Sequence, residues 1–95
     1  MMRQVTAASQ LHRRHEGLVD FMMKHREGWV GINLGGMVVE KKFTCPGGIV
    51  GSLGYFGEKF IEAMEHMESM KYTLFFRQAW DGKILASDDG EWKKG

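Results

Sequence analysis

Ninety-five residues, 43% apolar and 26% charged, have the balance of one soluble folded domain and leave no room for a second. Thirteen basic and twelve acidic side chains give a net charge of +1, so no global field draws the chain to nucleic acid or to an anionic membrane, and an electrostatic partner must be met by a local patch. One cysteine, Cys45, excludes an intramolecular disulfide and a cysteine-based zinc site, and with no apolar run of signal-peptide or membrane-spanning length the expected location is cytoplasmic.

Leu11, His15, Leu18 and Met22 follow one another at intervals of four, three and four, which places them on one face of a helix over residues 6–27. Thr6 or Ser9 serves as its cap and Gly28 as its stop, while Lys24, His25 and Arg26 suit the negative end of the helix dipole. Gly17 weakens the middle by about 1 kcal/mol relative to alanine and allows a bend.

A hairpin is expected over residues 29–43, with Gly35-Gly36 as a two-residue turn that tolerates positive φ. That turn sets Leu34 against Met37 and Ile32 against Val39 on one side, and Gly31 against Glu40 and Trp29 against Lys42 on the other. Pro46 with its neighbouring glycines ends the strand and opens a glycine-rich connector over 44–54, where Gly48, Gly51, Gly54 and Gly57 recur every third position. Such a run suggests positive φ or close backbone approach.

Phe56, Phe60, Met64 and Met67 give a helix over 55–71, with Glu58, Glu62, Glu65 and Glu68 on a mostly separate side. A second hairpin over 72–87 turns at Asp81-Gly82, and residues 88–95 read as a polar tail with Trp92 as the exception. Phe75 and Phe76 must point to opposite sides of their strand. The expected fold is α+β: two β-hairpins forming a four-stranded antiparallel sheet with two α-helices on one face.

Candidate chemistry is sparse. The glycine run could cradle a phosphate, because free backbone amides ahead of a helix favour an anion, and a small ligand or nucleotide held there is one alternative function. The run lacks Gly-Lys-Ser/Thr and the dinucleotide spacing, and Glu58 repels an anion, so a structural connector is the plainer reading. His12 and His15, near Glu16 and Asp20, could hold a metal or relay protons; the plainer reading makes His15 a half-buried histidine with a hydrogen bond and His12 a solvated one. Cys45 would need a nearby base to act as a nucleophile, and reads as a loop cysteine. No catalytic residue, metal or cofactor is expected.

Arg3, Arg13, Arg14, Lys24 and Arg26 make the first helix the most basic segment, and Arg13, Arg14, Lys24 and Arg26 are the contacts for a second alternative, nucleic-acid binding. Glu16, Asp20 and Glu27 dilute that charge. The cluster of Met64, Met67 and Met70 reads as core filling before it reads as an adaptable contact surface.

The aromatic residues carry the functional expectation. Trp29, Tyr55, Phe56, Phe75, Phe76, Trp80 and Trp92 are many rings for a small core, and such side chains anchor protein interfaces. The chain therefore reads as a small non-catalytic domain that docks on another protein or pairs with itself as a homodimer, edge strands offering one route. Its size and lack of motifs are in the style of phage and mobile-element inhibitors of host defence, the anti-CRISPR type included.

Overall fold

The computed structural model describes residues 9–44 and 47–93, with only the backbone of 47–50. Helical residues 9–14 (α1) and α2 (Glu16–Met23) precede the hairpin of β1 (Gly28–Leu34) and β2 (Met37–Phe43); α3 (Gly47–Ala63) leads to β3 (Ser69–Gln78) and β4 (Ile84–Lys93). All four strands are antiparallel neighbours in the order β2-β1-β3-β4. The fold is α+β, and β1 paired with β3 joins the two hairpins into one sheet.

The first helical segment is shorter than the expected 6–27 and is interrupted. Its break falls at His15, where φ −128° and ψ 40° leave the helical region, and not at Gly17. Leu11, His15, Leu18 and Met22 are nonetheless all buried, as their spacing requires. The helix closes at Met23; His25 donates its backbone N–H to Met22 and its Nδ1–H to the Phe21 carbonyl. Thr6 and Arg3 lie outside the described residues.

β1 and β2 pair in the register set by Gly35-Gly36, with Leu34 opposite Met37, Ile32 opposite Val39, Gly31 opposite Glu40 and Trp29 opposite Lys42. Both turn glycines have positive φ, 56° and 99°, as a mirror-image turn demands, and Asn33 Oδ1 accepts the Gly36 N–H at 2.8 Å.

Two expected boundaries are corrected. The glycine-rich stretch is not a connector over 44–54: from Gly47 onward it is α3, which ends at Ala63 rather than at residue 71. No glycine in this helix is among the described residues with positive φ, and Cβ atoms on Gly51 or Gly54 would meet nothing. Leu53, Phe56, Phe60 and Met64, spaced three, four and four and all buried, outweigh the helix-weakening glycines. Cys45 and Pro46 lie outside the described residues.

The polar tail is also corrected. Residues up to Lys93 belong to β4, because β3 begins three residues earlier than the expected hairpin and offers Met70, Lys71 and Tyr72 as partners for Trp92, Glu91 and Gly90. The turn between these strands is a five-residue loop, 79–83. Gly82 there has φ 71°, and Asp81 Oδ1 accepts from the Lys83 backbone at 2.9 Å and from Gln78 at 3.2 Å.

The buried cluster takes Leu11, Leu18, Val19, Met22, Leu53, Phe56, Phe60 and Met64 from the helical half of the molecule. From the sheet it takes Val30, Ile32, Leu34, Phe43, Tyr72, Leu74, Phe76 and Trp92, alternate positions that share one side of the pleat. This is the core side. Burying side chains of this size supplies roughly 1.5–3 kcal/mol each and is the main force holding the elements together.

Candidate functional site

The core side contains the one buried titratable network among the described residues. His15 Nε2 lies 2.6 Å from the Tyr72 hydroxyl, and His15 Nδ1 lies 3.4 Å from Asp88 Oδ2. Burial pushes the Tyr72 hydroxyl above its ordinary value of 10.0; a hydrogen bond and the positive charge of Arg14 oppose the rise, and Asp88 adds to it. Tyr72 keeps its O–H, and the His15 tautomer with its proton on Nδ1 both accepts from that hydroxyl and donates to Asp88.

Close packing fixes this network. Phe60 meets Tyr72 edge-on at 4.8 Å and stacks on Trp92 at 4.6 Å, while Arg14 lies 5.1 Å over Trp92 and donates to the Glu91 carbonyl at 2.8 Å. Gly90 is required opposite Tyr72, since a Cβ there would stand 2.4 Å from the hydroxyl oxygen. His15 and Tyr72 are both buried, and the network fastens α1 and α2 to β3 and β4.

The opposite, open side of the sheet differs in kind. Gly31 has no side chain, and the Phe75 ring lies across it: a Cβ on Gly31 would stand 2.4 Å from a Phe75 ring carbon. Around Phe75, Arg77 grips Glu40 in a bidentate pair, Nε to Oε2 at 2.5 Å and Nη2 to Oε1 at 3.2 Å. The Arg77 guanidinium lies 5.3 Å over the Trp29 ring, which Lys42 flanks at 5.9 Å. Because both members of the ion pair keep about a quarter of their side-chain surface in water, the pair orients Arg77 more than it stabilises the fold.

Loop 79–83 continues this end of the sheet, its Gly82 carbonyl 3.4 Å from Arg77 Nη1. Trp80 stands on that loop with 76% of its surface exposed, and Ile84, opposite Arg77 at the start of β4, is 55% exposed. The far end of the open side is polar: a groove of about 580 Å³ is lined by Asn33, Lys71, Thr73, Asp89 and Glu91 among others. Thr73 there donates to Asp89 at 2.7 Å.

The expected interface rings thus separate. Trp80 is fully available, Trp29 and Tyr55 are half-buried, and Phe75 is 8% exposed beneath its polar neighbours. Phe56, Phe76 and Trp92 are buried and present no contact surface, because each occupies a core-side position. Neither the alternation nor the ring count marks which rings find a cavity.

Arg14 is committed to Glu91 and Trp92, whereas Arg13, Lys24 and Arg26 are exposed, the last two beyond the end of α2. His12 is exposed and apart from the His15 network, and no group of three or more metal-ligating side chains occurs among the described residues. Met64 is buried, Met67 exposed and Met70 in β3, so the three do not share a helix face. No helix of the described residues is long and apolar enough to cross a membrane.

Comparison with known proteins gives no match to a family model, a curated protein or a solved structure.

Proposed function

We propose that this chain is a non-catalytic recognition domain that docks on a protein partner through the Trp80 end of its open sheet side. The observation that carries the reading is the Trp80 side chain, 76% exposed on a loop held by five hydrogen bonds that involve Gln78, Asp81 and Arg77. A large ring kept in water at the tip of a fixed hairpin, beside Ile84 and the oriented Trp29–Arg77–Glu40 group, has the composition of an interface hot spot.

Docking of this kind needs no reacting group. It would suit a cytoplasmic inhibitor of phage or mobile-element type, which blocks a host machine by occupying its surface, and the lone cysteine is compatible with a reducing compartment. Immobilised wild-type protein, challenged with lysate of its source cell or that cell's host at low and moderate salt, is expected to retain a stoichiometric protein. Trp80→Ala should lose it, with affinity reduced by about thirty-fold for a hot-spot ring. Capture of nothing by the wild type, or equal capture by the variant, contradicts the reading.

A further inference from the structure

The two edges of the sheet are not equivalent. On β4 the Glu91 carbonyl is already taken by Arg14, Asp88, Asp89 and Glu91 crowd the strand with acid, and the register shifts between Phe76 and Arg77. These are devices that keep an edge from pairing. β2 has Glu40, Lys41 and Lys42, but these are engaged with Arg77, Tyr55 and Trp29; the strand is seven regular residues without proline or register shift, unpaired on its outer side among the described residues. Its Met37 and Val38 are 55% and 54% exposed.

From this contrast we infer that the β2 edge binds the β2 edge of a second copy, antiparallel, around a two-fold axis at Val39. The turn at Gly35-Gly36 points the Met37 N–H toward Leu34, so by alternation Val38, Glu40 and Lys42 turn their backbone N–H and C=O groups outward. An axis at Val39 sets Val38 of each copy against Glu40 of the other, where both residues have outward backbone groups and four ladder hydrogen bonds form. It also sets Val39 against itself and each Met37 along the aliphatic stem of the other copy's Lys41.

The neighbouring registers are worse. An axis at Glu40 opposes two carboxylates and one at Lys41 opposes two ammonium groups, while one at Val38 shortens the overlap to residues 36–40. Only the Val39 axis combines apolar contact, four ladder hydrogen bonds and no like charges face to face. The result is a continuous eight-stranded antiparallel sheet with one Trp80 loop at each end, so the pairing is independent of the docking surface proposed above and leaves it free.

Light scattering coupled to size exclusion, run over about a hundred-fold range of concentration, tests this. The wild type should rise toward twice the chain mass. Val38→Glu sets a carboxylate against Glu40 of the other copy, and Val38→Pro removes an outward N–H that β1 does not use; both should stay at the chain mass with the far-UV spectrum unchanged, and Trp80→Ala should behave as the wild type. A wild type at the chain mass throughout, or a dimer that survives Val38→Glu, overturns the inference. Should a variant fail to fold, hydrogen exchange in the wild type decides: protection of the Val38 and Glu40 amides that falls on dilution supports the pairing, and protection that does not change refutes it.

Discussion

The β3–β4 hairpin is fastened at one end and free at the other, and it uses a tryptophan at each. Trp92, near the fastened end, falls on the core side opposite Met70, where Phe60 stacks on it and Arg14 covers it. Trp80, in the loop, has no pleat to turn it inward and stays in water. Ring count therefore says little about interface area; whether a ring stands on a paired strand position or in a loop decides its fate.

Four substitutions grade this difference. Phe60→Ala should be the most damaging, costing about 3–5 kcal/mol in urea unfolding, because it leaves a cavity and removes the partner of both Tyr72 and Trp92. Gly90→Val should cost about 1–3 kcal/mol by forcing the Tyr72 ring from its place.

Tyr72→Phe leaves His15 Nε2 without its donor, at a cost of about 1–3 kcal/mol. The same residue sets an alkaline limit. With its folded pKa above 10.0, the unfolded chain releases the phenolic proton first, so this stability is complete below pH 10 and is lost as pH rises through the folded value. Unfolding measured across that range should show a weaker decline in Tyr72→Phe. Trp80→Ala closes the series, changing stability by less than about 0.5 kcal/mol, since the ring covers nothing. A large loss in that variant would erase the distinction between the two ends.

The sequence made the first hairpin legible because turn and pattern agree: Gly35-Gly36 permits one tight turn, and the alternation on both strands fits only the register observed. In α3 the signals compete. Five glycines argue against a helix residue by residue, yet Leu53, Phe56, Phe60 and Met64 form one buried stripe, and tertiary burial outweighs propensity. The last strand was hidden by its own composition, for its core-side positions are Ala86, Asp88, Gly90 and Trp92, of which only Trp92 looks like core.

The candidate site divides along the same line. His15 could be assigned a buried hydrogen bond from its place on an apolar face, but its partners Tyr72 and Asp88 lie 57 and 73 positions away and no local spacing names them. Arg77 with Glu40 and Trp29 is likewise a product of β1 lying between β2 and β3. Trp80 and Trp92 read alike in the sequence, one beside a turn and one in a polar stretch, and only the pairing of β4 with β3 separates them by burying Trp92.

The account depends on Trp80 being the ring left to water. Protein labelled with 5-fluorotryptophan gives one fluorine resonance for each of Trp29, Trp80 and Trp92, and Trp80→Phe identifies the loop signal. A soluble paramagnet should broaden Trp80 most, Trp29 less and Trp92 least. A Trp80 signal as shielded as that of Trp92 would contradict the account.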